Sequence, residues 1–219
     1  MKVICVIPAW NEEKYIAGVI AKVKPLVETI VVVDDYSRDR TSELAKIAGA
    51  FVLRHPINRG QGAALQTGSD YALKLGADII VHFDADGQFA AEEIPEVVAP
   101  LLAGEADVVF GSRFLGRKAN LPAAKKYLIM PLGKIFNRCL GIHTSDPQSG
   151  FRAYTREVAQ SFRIENNEFA HCSEILIKLS HSHWRIKEVP ITVTYHRYGQ
   201  NFSTGIRILK DLFIQAISR

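Results

Sequence analysis

The stretch Ile79-Ile80-Val81-His82-Phe83-Asp84-Ala85-Asp86-Gly87-Gln88 decides how the whole chain is read. A short apolar run without alternation fits a strand buried on both faces of a sheet. This one ends on two carboxylates two residues apart, followed by a glycine. Upstream the same plan recurs: Val3-Ile7 runs into Pro8-Ala9-Trp10-Asn11-Glu12, and Thr29-Val33 runs into Asp34-Asp35. Between these runs lie helical patterns from about Glu12, over Thr41-Ala48 and over Ala63-Leu75, with another short run at Phe51-Leu53. Such alternation predicts a mostly parallel α/β sheet with helices on both faces, whose ligands gather beyond the carboxyl ends of the strands. The three polar segments are therefore expected to face one crevice.

The chain is 219 residues long, 47% hydrophobic and 23% charged, enough to bury one full core. No fixed-period repeat or low-complexity tract divides it, so a single domain over residues 1–203 is expected. Its first half would be about 1–115 and its second about 116–203. The net charge of +4 suits an anionic substrate or an anionic membrane face as well as nucleic acid, and does not choose among them. Cys5, Cys139 and Cys172 form no CxxC pair, which points to a reduced, cytoplasmic protein without a disulfide framework. Val3-Ile7, stopped by Pro8, reads as a first strand rather than a signal-peptide core. No stretch approaches the roughly 20 apolar residues of a membrane span.

Downstream, Asp107-Phe110 reads as a strand, Arg113 to Lys118 as a basic loop and Pro122 to about Leu140 as an amphipathic stretch. Ser149-Tyr154 is predicted as a strand, His171 to Ser182 as a helix, and Ile186 to Tyr195, interrupted by Pro190, as an edge strand or strand pair. Thr204 to Arg219 gathers Ile208, Leu209, Leu212, Phe213, Ala216 and Ile217 on one helical face, which either packs on the core or lies on a membrane surface.

Each motif has two readings. Asp84 and Asp86 can share one hard divalent cation, because Mg²⁺ and Mn²⁺ take a few carboxylate oxygens together with substrate phosphate. Asp and Gly also build ordinary turns. Asp34 and Asp35 can receive ribose hydroxyls or a base amide, or Asp35 or Ser37 can cap the helix near Thr41. Asn11 can cap a helix, with Glu12 and Glu13 favouring its positive end, while the loop walls a base. Asn58-Arg59-Gly60-Gln61-Gly62 either offers backbone N–H groups to a ligand or is a glycine turn. Arg113, ending a strand in Gly111-Ser112-Arg113, can hold a phosphate through its forked guanidinium. His181 and His183, two apart on a helix, do not share a face for zinc, and His55, His82 and His143 read as structural or surface histidines.

Taken in order, these motifs resemble the inverting family 2 glycosyltransferases of the GT-A fold, and within them the dolichyl-phosphate or polyprenyl-phosphate sugar synthases. The similarity runs from Val3 to about Gln200. It adds Ser145-Asp146-Pro147-Gln148-Ser149-Gly150-Phe151-Arg152 and the Val189-Pro190-Ile191 stretch ahead of His196-Arg197. The resemblance implies a UDP- or GDP-sugar donor, an Mg²⁺ or Mn²⁺ cofactor, and a polyprenyl or dolichyl phosphate acceptor met at the cytoplasmic face of a membrane, with no nucleic acid partner. Pro8, Trp10, Glu12, Asp34 and Asp35 would hold the nucleoside. Asp84, Ala85, Asp86 and Gln88 would surround the metal and diphosphate, and Arg113 and Arg197 would reach the phosphates. Asp146, Gln148, Ser149 and Arg152 would form the loop where donor and acceptor meet, with Asp86, Asp146 and Arg113 nearest the chemistry. Lys125 and Lys126 stand where the lipid-phosphate enzymes carry arginines, and Tyr36 stands where the family has glycine. A hydroxyl acceptor, with Asp146 or Glu174 as base, and a non-catalytic nucleotide-sugar binder are the competing readings.

Overall fold

The computed structural model describes residues 1–115, 144–167 and 171–194. The apolar runs become the strands β1 (Val3–Ala9), β2 (Thr29–Asp34), β3 (Phe51–Arg54), β4 (Ile79–His82) and β5 (Val108–Ser112). Two more follow, β6 (Arg152–Thr155) and β7 (Ile186–Pro190). They form one seven-stranded sheet in the order β3-β2-β1-β4-β6-β5-β7. Every described pairing is parallel except those of β6, which runs antiparallel to both β4 and β5. The sheet is therefore mostly parallel, as expected, with one reversed strand that hydrophobic patterning does not encode.

Six α-helices are described, α1 (Ile16–Val23), α2 (Thr41–Ile47), α3 (Gln61–Lys74), α4 (Ile94–Leu102), α5 (Arg156–Ser161) and α6 (His171–Ser180), with short 3-10 helices at Lys24–Leu26 and Ala91–Glu93. Alternate residues of each strand feed two separate cores. Val3, Cys5, Ile7 and Ala9 of β1 join Ile16, Val19, Ile20 and Val23 of α1 and Val97, Val98 and Leu101 of α4. Ile4 and Val6 join Ala64, Leu65 and Ala72 of α3, Val158 of α5 and Ile175, Leu176 and Leu179 of α6. The i, i+3, i+4, i+7 spacing of the α1 quartet gives that helix one apolar stripe. Each such side chain contributes about 1.5–3 kcal/mol relative to an exposed position.

Several boundaries differ from expectation. Glu12 opens a turn rather than α1 itself, since its carbonyl accepts the N–H groups of Tyr15 and Ile16. α3 begins at Gln61, two residues ahead of the apolar pattern. The expected strand from Ser149 starts only at Arg152, because Ser149 N–H turns back to the carbonyl of Asp146 at 3.4 Å. α6 ends at Ser180 and β7 at Pro190. The stretch Pro122–Leu140 and the segment Thr204–Arg219 lie outside the described residues. Among the described residues no helix is long and apolar enough to cross a membrane.

Two glycines test the packing in opposite directions. A Cβ on Gly68 of α3 would lie 2.2 Å from Cγ1 of Val6 and 3.1 Å from Cγ2 of Val33, whereas one on Gly18 of α1 meets nothing within 4 Å. In urea unfolding, Gly68→Ala is expected to lose about 1–3 kcal/mol through overpacking, and Gly18→Ala to gain about 0.4–1 kcal/mol by restricting the unfolded chain.

Candidate active site

β1, β2, β4 and β5 end at the same edge of the sheet, and β6 begins there. In the register, Arg152 at the start of β6 pairs with His82 near the end of β4 and with Phe110 in β5. The segment preceding β6, residues 144–150, is thereby delivered to the ends of the parallel strands. Gly150 packs so tightly on the first carboxylate of the Asp84-Ala85-Asp86 turn that a Cβ there would stand 2.4 Å from Asp84 Oδ2. Only a residue without a side chain fits this approach.

Three aromatic rings fix the turn from below. Phe83, just before Asp84, lies 5.0 Å from Phe151 and 5.7 Å from Phe89 between ring centroids, and Phe89 and Phe151 are 5.5 Å apart. Beyond the turn, Gln88 N–H donates to Asp86 Oδ1 at 3.0 Å, while its carbonyl accepts Thr194 N–H at 2.8 Å. Glu93 then receives the N–H and hydroxyl of Thr192, both at 2.8 Å. The carboxylates thus stand on a rigid platform.

Their charges oppose one another. Burial, followed by the charges of Asp86 and Cys172, pushes the Asp84 carboxyl up to about 7, an effect that Arg152 and His171 only partly offset. Burial, then Asp86 and Asp39, likewise raise Glu12 to about 7. Asp84 Oδ1 accepts Gln61 Nε2 at 3.0 Å, a neutral donor that orients the group without neutralising it. Acidic groups gathered this way favour either protons or a cation. Among the described residues no three or more His, Cys, Asp or Glu side chains form a metal cage. Asp84 and Asp86, with Gln88 beside them, therefore fit the sparse ligand set of an Mg²⁺ or Mn²⁺ whose remaining sites go to substrate oxygens and water.

The neighbouring loops are stitched together. Asn11 N–H donates to Ser37 Oγ (2.9 Å), Arg38 N–H to Asn11 Oδ1 (2.9 Å) and Glu12 N–H to Thr41 Oγ1 (2.8 Å). Asn11 is thus spent on the 37–41 loop and caps no helix. Asp35 and Ser37 are not caps either; the N-cap of α2 is Arg40, without a side-chain cap bond, and Asp39 Oδ1 accepts Thr41 N–H at 3.0 Å just ahead of the helix. Asp35 instead pairs with His55 Nδ1 at 2.7 Å and accepts Arg59 N–H at 2.9 Å and Gly60 N–H at 2.7 Å. Of the two readings of the Asn58–Gly62 segment, the structure has Arg59 and Gly60 give their N–H groups to the protein's own carboxylate. Gly60 has a φ of 90°, and a Cβ there would lie 2.2 Å from the Asn167 carbonyl oxygen. Asp34 Oδ1 accepts Ser37 N–H, while its buried Oδ2 has no hydrogen-bond partner and lies 3.4 Å from Arg54 Nε.

On the opposite side of the turn, Arg113 donates from Nε and Nη2 to the two oxygens of Asp146, each at 2.6 Å, and its N–H adds a third bond at 3.1 Å. Asp146 is 1% exposed. Such a forked pair fixes the guanidinium plane. Ser145 continues the chain of contacts, with its N–H and hydroxyl on Glu188 Oε1 of β7 at 2.8 and 2.9 Å.

The expected site residues therefore fall into three groups. Glu12, Asp84, Asp86 and Gln88 come together, with the buried Ala85 between the two aspartates; Trp10 stands exposed; and Asp34, Asp35, Arg113, Asp146 and Gln148 line the neighbouring loops. Pro8, Ser149 and Arg152 are buried in the fold. Pro8 is a β1 residue paired with Val33, and Arg152, 1% exposed, donates to the Gly150 carbonyl and to Cys172 Sγ at 3.3 Å. Arg152, expected at the acceptor, has its Nε and Nη2 engaged inside the fold. Glu174, the base of the competing reading, accepts the N–H groups of Glu165 and Asn166 and pairs with Lys178 at 2.7 Å. Lys125, Lys126 and Arg197 lie outside the described residues. Gln61 and His55 were not expected at the site. Gln61 opens α3 inside a motif visible in sequence, and only the pairing with Asp84 was missing. His82 is structural, as expected, hydrogen-bonded to Ser69 Oγ at 2.9 Å and to the Tyr154 hydroxyl.

With this geometry in hand, residues 4–163 match the model of the family described as "Glycosyl transferase family 2". A UDP-N-acetylglucosamine–dolichyl-phosphate N-acetylglucosaminyltransferase of Methanococcus voltae is 32% identical, covering 97% of this chain and 93% of that protein. An undecaprenyl-phosphate mannosyltransferase of Micrococcus luteus is 29% identical over 94% of this chain and 88% of its own. Among solved structures, glucosyl-3-phosphoglycerate synthase from Mycobacterium tuberculosis, in complex with Mg²⁺ and uridine diphosphate, superposes with a TM-score of 0.74 at 26% identity. It covers 96% of this chain and 78% of that one.

The carboxylate cluster predicts a pH dependence with a definite sign. Asp84 and Glu12 bind protons more tightly folded than unfolded, from ordinary values of 3.8 and 4.5 up to about 7. Their contribution to the stability of the metal-free protein therefore falls as pH rises through that window. A cation needs the charged forms. Thermal-shift measurements should show a larger rise in Tm with Mn²⁺ at about pH 8 than at about pH 5.5, and Asp84→Asn should remove most of that difference.

Proposed function

The chain belongs to glycosyl transferase family 2, and from that premise we propose that it moves a sugar from a UDP- or GDP-sugar to a polyprenyl phosphate, inverting the anomeric carbon. The observation that carries this reading is the gathering of Asp84, Asp86 and Glu12 at the end of β4, where burial and the charge of Asp86 raise both Asp84 and Glu12 to about 7. A dication together with a diphosphate supplies what such a cluster lacks. Bound Mg²⁺ or Mn²⁺, held by Asp84 and Asp86 with Gln88 beside them, would provide neutralising charge for the departing nucleoside diphosphate.

The protein's own groups divide the remaining work. Trp10, exposed after β1, offers a face to the base, and Asp34, buried with its Oδ2 3.4 Å from Arg54 Nε and without a hydrogen-bond partner, would turn an oxygen to a nucleoside N–H or O–H. Arg113 faces the phosphates, and Asp146 holds its guanidinium in plane. The acceptor phosphate oxygen attacks the anomeric carbon from the side opposite the diphosphate. One C–O bond forms while the other breaks, and the electron pair leaves with the nucleoside diphosphate. A phosphate monoester, with a second pKa of about 6, is already anionic near neutral pH, so no base has to take a proton. This favours Asp146 as a positioning residue for Arg113. Because the acceptor is a lipid, the enzyme would work at the membrane surface, on its cytoplasmic face, with Lys125, Lys126 and Arg197 adding charge for the two phosphates.

The test is incubation with UDP- and GDP-sugars, Mg²⁺ or Mn²⁺ and a short polyprenyl phosphate, following labelled sugar into organic solvent. Transfer should disappear on chelation, and Asp86→Ala should lower kcat by about 10²–10³-fold, the scale set by removing one preorganised electrostatic group. Metal-dependent transfer that leaves all label in the aqueous phase would instead assign a hydroxyl acceptor.

Asp146 separates two roles. As the holder of Arg113, its replacement in Asp146→Asn should raise the donor KM and lower kcat together. A fall in kcat with donor KM unchanged would make Asp146 a base.

A further inference from the structure

Only two non-glycine residues among the described ones have positive φ, and both lie at the nucleoside-facing loops: Asn11 at 57° and Tyr36 at 66°. Asn11 has a reason visible in the fold, since its side chain and N–H lock the 37–38 turn. Asn also tolerates the left-handed region because its short polar side chain bonds locally. Tyr36 has no such excuse. Its ring is large, its backbone conformation is one that glycine adopts freely, and it is 43% exposed while Asp35 and Ser37 on either side are buried. A left-handed residue of this size persists only where the surrounding structure over-determines it, and such residues cluster at ligand clamps.

The surroundings do over-determine it. Asp35 N–H donates to the Ala9 carbonyl at 2.8 Å on one side of Tyr36, and Asn11 N–H donates to Ser37 Oγ at 2.9 Å on the other. These two bonds zip the loop after β1 to the loop after β2. Each loop has one residue between them, Trp10 in the first and Tyr36 in the second. Both rings are exposed, Trp10 by 56%. Among the described residues no ring stack or side-chain hydrogen bond occupies either one. Two exposed aromatic residues are thus brought to neighbouring backbone positions at the mouth of the crevice, one residue away from the buried carboxylate of Asp34.

We infer that Tyr36 is a donor-binding residue that pairs with Trp10 to grip the base of the nucleotide. This deepens the nucleotide-sugar reading and rests on it. The ring contributes through its face, so the contact is tolerant of base identity, while the Asp34 oxygen distinguishes the hydrogen-bonding edge. The strained turn would then be retained because it points an aromatic side chain where glycine would leave an open wall.

The experiment is equilibrium binding of UDP, GDP and inorganic pyrophosphate in Mn²⁺ to the full chain and to Tyr36→Gly, Tyr36→Phe and Tyr36→Asn. Tyr36→Gly relieves the backbone and should melt no lower than the parent, yet bind both nucleotides about tenfold or more weakly, the scale of one lost base stack. Pyrophosphate binding should be unchanged. Tyr36→Phe should retain nucleotide affinity, and Tyr36→Asn, which tolerates the same backbone, should repeat the glycine result. Nucleotide affinity undiminished in Tyr36→Gly and Tyr36→Asn would overturn the inference and leave the nucleotide-sugar reading standing. An equal loss for pyrophosphate would also overturn it, by showing that the turn rather than the ring matters. A parent protein that binds pyrophosphate but neither nucleotide would overturn both.

Discussion

The candidate site depends on one reversal of direction in the sheet. A fully parallel sheet presents only strand ends at its carboxyl edge, each followed by a loop into a helix. Because β6 runs backwards between β4 and β5, its beginning arrives at that same edge and carries residues 144–150 with it. Without the reversal, Asp146 could not reach Arg113, and Gly150 could not press on Asp84. The small-residue contact at Gly150 and the phenylalanine trio beneath the turn are the packing consequences of that topology.

The electrostatics divide along the same line. On the β5 side the charge of Arg113 is matched by Asp146, and Glu188 accepts two hydrogen bonds from Ser145. On the β4 side, burial and the charge of Asp86 raise the pKa of both Asp84 and Glu12. Arg152 and His171 lie close enough to moderate Asp84 without cancelling the charge of Asp86. The N–H groups of Arg59 and Gly60 are taken up by Asp35, so the raised carboxylates at the end of β4 are the part of the site that a bound cation would relieve.

Much of this was legible in the sequence. Unbroken apolar runs with polar residues at their ends gave β1, β2 and β4 and put Pro8–Glu12, Asp34-Asp35 and Asp84–Asp86 at one edge, because strand order in βαβ units leaves little choice of side. What was hidden has a common cause: it lies in pairings between distant residues. A four-residue strand such as β6 carries no mark of its direction. Arg152 was expected in the loop where donor and acceptor meet; arginine is seldom fully buried unless paired, and its partners, the Gly150 carbonyl and Cys172, are visible only in three dimensions. His55 showed no partner along the chain and proved to be the clasp on Asp35. Tyr36, noted as a departure from the resembling family, keeps the turn that glycine would make, at a cost of roughly 1–3 kcal/mol, so the sequence exposed the anomaly while the backbone supplied its meaning.

The central claim is that the β4 carboxylates and the neighbouring loops form one metal-and-nucleotide site. The most direct measurement is anomalous diffraction at the manganese edge from crystals grown with Mn²⁺ and UDP or GDP. The account predicts a single strong peak within coordination distance of Asp84 or Asp86, with diphosphate oxygens completing the shell and the base against Trp10. A nucleotide bound elsewhere, or manganese bound away from that pair, would contradict it.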